Sequence, residues 1–167
     1  MKEKVENCIR LLTKGTASLQ SPFLLVVRLY WGWQFAQTGW GKFDNLEKVT
    51  GFFTSLGIPL PALTAHFIAG LELGGGIFLA LGLVSRPIAL LLATNMVVAY
   101  IAADREALFS VISDPDKFSG AAPFTFLIAS LIVLIFGPGT VSVDAWLASR
   151  KQSNTQCNPA SEKLMVQ

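Results

Sequence analysis

Two charges stand where long apolar stretches leave no room for them. Arg28 lies six residues into one such stretch, and Glu72 sits near the middle of the next. An ionised side chain at the centre of a membrane helix costs about 2.5–3.5 kcal/mol on insertion scales, so each should face a protein interior and find a partner. Glu72 lies about 18 Å above one end of its stretch at 1.5 Å per residue, the depth that Gln34 reaches on the first. Arg28 lies lower but is long enough to extend toward that level. The expectation is a network of Arg28, Gln34 and Glu72 across two antiparallel helices. Such a group could shape a polar pocket for the head group of an amphiphile, or a proton route with Glu72 at its centre, since a mid-membrane carboxylate protonates when its partner moves. His66, six residues outward from Glu72, would then relay protons to the surface. Equally, the opposite charges could do no more than fix helix pairing.

The elements that must position these residues are apolar spans. Hydrophobic residues make up 52% of the 167 and charged ones 14%, against about 25% charged in a soluble domain. Four runs, at about 22–41, 61–84, 87–103 and 121–137, carry at most one charge each and reach the roughly 17–25 residues that a crossing helix needs. Pro22, Pro61, Pro87 and Pro123 open them, in the first turn where a missing amide proton is tolerated. The predicted fold is all-α, a single integral-membrane four-helix domain over residues 1–150, followed by a flexible polar tail at 151–167. Val5, Cys8, Ile9 and Leu12 recur at helical spacing among lysines, which predicts an N-terminal interfacial amphipathic helix. Leu46, Val49, Phe53 and Leu56 predict a short amphipathic helix in the first outer loop, ended by Gly57 and Pro59.

Lysine and arginine set the orientation. The N-terminal segment, Arg86 and the C-terminal tail hold eight, against four at Lys42, Lys48, Arg105 and Lys117. By the positive-inside rule the chain is a multi-pass protein of the cytoplasmic membrane with both termini cytoplasmic. No cleavable leader is expected, because 21 mostly polar or amphipathic residues precede the first apolar run.

Within the first span, Arg28, Gly32, Phe35, Gly39 and Lys42 follow at spacings of 4, 3, 4 and 3, which keeps them on one face toward a neighbour. Gly70, Gly74, Gly75, Gly76 and Gly82 allow close backbone approach in the second, or leave room for a flat ligand. Trp40 suits the outer interface, whereas Trp31 and Trp33 lie deeper and could flank a ring or face lipid. Asn95 reads as an interhelical hydrogen-bonder.

Several chemistries are excluded. A net charge of +2 without a basic face argues against nucleic acid. Cys8 and Cys157 lie near opposite ends with no CxxC, and the spans hold no thiol, so thiol-based electron transfer is not expected. One histidine cannot ligate a haem twice, and no metal-site spacing is present, so no metal and no covalent cofactor is expected. GLELGGG lies inside a span, not between a strand and a helix, so it is no dinucleotide loop.

Arg28-x3-Gly32-x2-Phe35-x3-Gly39-x2-Lys42, then Glu72-x2-Gly75-Gly76 with Gly82 and Arg86, and finally Gly137-Pro138-Gly139 with Ser142 and Asp144, together resemble the DoxX family of small four-span membrane proteins. The resemblance covers about residues 22–146. Relatives of that kind include a subunit of thiosulfate:quinone oxidoreductase and proteins associated with membrane redox complexes, while many have no known activity. It implies a quinone-interacting subunit of, or partner to, a membrane redox complex, with Arg28, Lys42 and Glu72 as the family-pattern polar residues. Binding is then expected at Arg28, Gln34, Glu72, Trp31 and Lys42, with Glu72 and His66 handling protons. The expected partners are the lipid bilayer, other redox subunits and, in the alternative, further copies of the chain. Two rivals are a non-catalytic membrane scaffold or assembly protein and, with less support, a small carrier for lipophilic solutes, since four spans without an inverted repeat offer little for alternating access.

Overall fold

Glycines on the facing sides of the first two apolar spans let those helices pack by backbone contact, and that contact organises the bundle. The computed structural model describes residues 2–156 and the side chains of residues 19–150. Eight helices and no strand occur among the described residues. Helix α1 (Lys2–Asp44) leads to α2 (Leu46–Ser55), then α3 (Pro61–Leu81) and α4 (Ser85–Ala102). Short helices α5 (Arg105–Phe109) and α6 (Pro115–Gly120) precede α7 (Ala122–Phe136), and α8 (Val143–Gln156) follows it.

Helices α1, α3, α4 and α7 form the four-helix bundle, with α1 packed most extensively on α3 and α4 on α7. Phe35, Leu79, Leu92, Met96 and Val133 fill its centre. Two of the four, α3 and α4, are long and apolar enough to cross a membrane on length and composition, and α7 is apolar over 15 residues. The bundle's exterior is apolar as well: Val26, Leu29, Trp33, Phe67, Ile77, Leu91, Val98 and Ile135 are all exposed. So much outward apolar surface suits lipid and not water. The protein is a helical membrane bundle.

Three boundaries differ from expectation. Pro22 lies inside α1 and does not open it, because the helix is continuous from Lys2. Thr140 N donates to Ser21 Oγ at 3.0 Å, beside the proline. The expected separate N-terminal interfacial helix is therefore the first part of α1, and the side chains of its proposed apolar stripe, Cys8 among them, lie outside the described residues. The loop at 104–120 contains α5 and α6, which lacked the length to show a period. Helix α8 takes in residues 143–156, so the first six positions assigned to a flexible tail are helical, while Cys157 and the remainder of 157–167 lie outside the described residues. Elsewhere the expected stripe of α2 does turn inward, with Phe53 buried.

The turn between α3 and α4 is held from outside. Gly82 and Val84 both have left-handed backbones, with φ of 71° and 48°, an outlier for a β-branched residue. Asp144, entering α8, accepts hydrogen bonds from Val84 N at 2.8 Å and from Ser85 N at 2.9 Å, and its own amide donates to Gly82 O at 3.1 Å. A carboxylate thus caps the N-terminus of α4 from another helix. Burial pushes the Asp144 carboxyl up, but the amides of Ser85 and Val84, the Ser85 hydroxyl and the Arg28 charge together hold it below the usual carboxylate value. A depressed value means stability that is present above the unfolded pKa of about 3.9 and lost as pH falls through the native one. Asp144→Asn is expected to lower stability near neutral pH by about 1 kcal/mol and to remove that acid-dependent loss. Thermal melts of both proteins across the acidic range check this.

Candidate functional site

Glu72 is the buried acid of the bundle, 2% exposed on α3. Both of its oxygens are engaged. Lys42 Nζ donates to Oε2 in an ion pair, and Asn95 Nδ2 donates to Oε1 at 3.0 Å. Three helices converge on one carboxylate: Lys42 comes from the last turn of α1, and Asn95 from α4. The approach is possible because α1 and α3 touch through glycine. A β-carbon on Gly39 would lie 2.8 Å from the Ala69 carbonyl oxygen, and one on Gly76 would lie 2.6 Å from Ala36 N. Lys42, one turn beyond Gly39, then needs only its flexible stem to reach Glu72.

The expected Arg28–Gln34–Glu72 network does not form. Arg28 is buried at 1% exposure but points to the opposite end of the bundle. It donates to the carbonyls of Pro138, of Val141 at 3.0 Å and of Ala80 at 3.5 Å. These acceptors are free because Ala80 lies in the last turn of α3, and Pro138 and Val141 lie in the non-helical segment between α7 and α8. Arg28 therefore ties α1 to the ends of α3 and α7. Its Nε is buried without a hydrogen-bond partner. Gln34 is half-buried and bonds to neither charge. Depth along a helix decided the expected trio, but six residues turn a helix by about 600°, which leaves Arg28 and Gln34 about 120° apart around the axis.

The same rotation separates His66 from Glu72. His66 is exposed, and its Nδ1 lies 2.7 Å from the Ala62 carbonyl one turn back on its own helix. Trp31 is half-buried and packs edge-on against Phe126, ring centres 5.2 Å apart, while Phe126 also meets Phe35 at 4.7 Å. Phe35 and Phe126 line the cavity beside Glu72, and Trp31 backs them without reaching it. The stripe of Arg28, Gly32, Phe35 and Gly39 is buried throughout, as its spacing required.

Two cavities flank the Lys42–Glu72 pair. One, of about 210 Å³, lies between α1, α4 and α7 and is lined by Phe35, Thr38, Lys42, Glu72, Met96, Asp104 and Phe126. The other, of about 160 Å³, lies beneath α2 and is lined by Phe52, Phe53, Leu56, Ile68, Asn95 and the same two charged residues. A larger groove of about 800 Å³ runs along α1 and α3 between Trp33, Trp40, Ile77 and Leu81. It is apolar and contains neither partner of the ion pair. The polar groups gather instead at the smaller cavities, where a cation, a carboxylate and an amide meet under mainly apolar walls. Asp104 was the residue that sequence reading passed over. Its position just beyond a span, at the N-cap of a five-residue helix, gave no periodic signal.

The fold and the site define a helical membrane bundle with a lysine–glutamate–asparagine cluster between two small cavities, its carboxylate buried. The DoxX family model matches residues 23–105, and over that stretch, which holds Arg28, Lys42, Glu72, Asn95 and Asp104, the chain belongs to the DoxX family. A relative from Bacillus subtilis (strain 168), named "Putative oxidoreductase CatD", is 29% identical over 131 residues, covering 77% of this chain and 90% of its own length. No solved structure matches the chain. The closing turn at Gly137-Pro138-Gly139 lies beyond the matched stretch, yet it supplies a carbonyl to Arg28.

Proposed function

We propose that this protein is a quinone-interacting membrane subunit of, or partner to, a membrane redox complex, and that it holds the quinone head group beside Lys42, Glu72 and Asn95. The observation that carries the reading is the pair of cavities meeting at one buried, fully hydrogen-bonded carboxylate. Ligand sites of drug size usually enclose about 300–1,000 Å³, so a 210 Å³ space suits a single ring, with any isoprenoid tail left in lipid. Lys42, at 30% exposure, retains donors for a ring carbonyl after its bond to Glu72, since an ammonium carries three. Glu72 can pass a proton to the other oxygen, which makes it the acid–base group. In this reading the electrons come from another subunit of the redox complex. The relative's name adds support by placing that protein among oxidoreductases. Residence in the cytoplasmic membrane with cytoplasmic termini is part of the same proposal and rests on the lysine and arginine bias.

Protein purified gently in mild detergent is expected to carry quinone at near-stoichiometric level. Glu72→Gln, at equal recovery and monodispersity, should lose most of it. Quinone that is absent from the wild type, or unchanged in the variant, gives the lead to a scaffold role in which the ion pair only fixes helix packing.

A further inference from the structure

The 210 Å³ cavity brings a second carboxylate to the charged pair. Lys42 and Glu72 form one wall, and Asp104 lies at the rim where α4 gives way to α5. The Asp104 side chain does not cap its own helix, so its carboxylate remains available to the cavity. No other charged residue lines that space: α4 contributes Met96 and Ala99, and α7 contributes Ala122, Pro123 and Phe126. From α2, only apolar side chains border the second cavity. Nearby Arg105 is exposed, while Lys117 and Glu106 pair with one another at 3.0 Å on the surface.

One cation faces two carboxylates across a space with mainly apolar walls. The Lys42–Glu72 pair is neutral, which leaves one negative charge at Asp104, toward the end of the bundle that carries α2, α5 and α6. Low-dielectric walls focus such a field and concentrate cations at the mouth. Thr38 adds a hydroxyl along the way, its own proton donated to Phe35 O at 2.9 Å, so that its lone pairs remain for water.

We infer that this cavity is a proton port: Asp104 gathers protons at the loop-bearing end of the bundle, and Glu72 exchanges them there through water lying past Thr38. The inference rests on the proposed quinone site for its purpose, because reduction of a quinone takes two electrons and two protons. The reduced partner subunit supplies the electrons. Each ring oxygen gains one O–H bond, with protons drawn from water on the loop side, and the product is the quinol. Glu72 delivers a proton, becomes the carboxylate that Lys42 holds, and is reprotonated through the port.

Accessibility tests the port without requiring quinone. In the full chain with Cys8→Ser, Cys157→Ser and Thr38→Cys, reconstituted into liposomes, charged membrane-impermeant thiol reagents should react from the loop side. The cationic reagent should react at least about tenfold faster than the anionic one. Asp104→Asn should bring that ratio close to unity, whereas Asp116→Asn, on exposed α6 away from the cavity, should leave it unchanged. A water-soluble carbodiimide, whose central carbon the carboxyl oxygen attacks before an added amine displaces the urea, should modify Glu72 from the same side. The port is overturned by no reaction at Thr38→Cys from the loop side, by a charge ratio indifferent to Asp104, or by an unmodified Glu72 in protein that labels normally at Thr38→Cys. Quinone content measured on the same samples separates the two ideas. Normal labelling without quinone removes the proposed function and leaves the port standing, while quinone retained without labelling removes the port alone.

Discussion

Lys42→Met is expected to destabilise the protein by about 3–5 kcal/mol, and the double variant Lys42→Met/Glu72→Met to regain most of that loss. The single change removes the cation but leaves a carboxylate at 2% exposure with Asn95 as its remaining donor. An uncompensated buried charge carries a desolvation penalty that one amide cannot offset. Removing both charges leaves apolar side chains of similar volume in apolar surroundings, which is often neutral or better. Denaturation midpoints of the wild type, both single variants and the double variant in one detergent form the required cycle. If the two single losses simply add, the pair is not coupled. If the double variant regains stability yet carries no quinone, the charges are retained for binding and not for folding, which is what the proposed function requires.

The sequence made the spans legible because composition in lipid is a strong constraint. Pro61, Pro87 and Pro123 all fall in the first turn of their helices, and Gly82 ends α3 as a left-handed residue. The packing stripe of α1 was equally legible, since spacings of 4 and 3 determine a face wherever a helix is intact. Charge pairing was harder to read. Depth along the membrane suggested Arg28, Gln34 and Glu72 as neighbours, but rotation about the helix axis and the reach of side chains from the ends decide who meets whom. Lys42 counts among the four cations on the side opposite the termini, yet its stem carries the ammonium inward to Glu72. The acceptors that hold Arg28 are carbonyls of Ala80, Pro138 and Val141, and backbone groups have no sequence signature of their own. Asn95 was read as an interhelical hydrogen-bonder and is one. The cap on α4 by Asp144 joins residues 59 and 60 apart in the chain, a contact that only the folded bundle creates. Pro22 misled for the opposite reason: a local rule for helix starts does not hold where the helix already runs from Lys2 through the proline to Asp44.

Gly39→Leu is expected to have the largest effect on the fold, a loss of more than about 3 kcal/mol that leaves little monodisperse protein. A β-carbon at this position already falls 2.8 Å from both the Ala69 carbonyl oxygen and the Leu73 Cα. These are backbone atoms of a facing helix, so no rotamer change relieves the overlap, and α1 and α3 must separate. Gly41→Leu is the matched control, because nothing lies within 4 Å of a β-carbon there. It should melt within about 0.5 kcal/mol of the wild type, as surface substitutions do. Gly39→Ala connects the fold to the site. Its smaller side chain permits folding with the helices pushed apart, which draws Lys42 away from Glu72 one turn further along. Quinone content should therefore fall more steeply than stability across the series from glycine to alanine to leucine. A parallel decline would mean that the ligand follows the amount of folded protein and that the spacing of α1 from α3 does not set the geometry of the binding site.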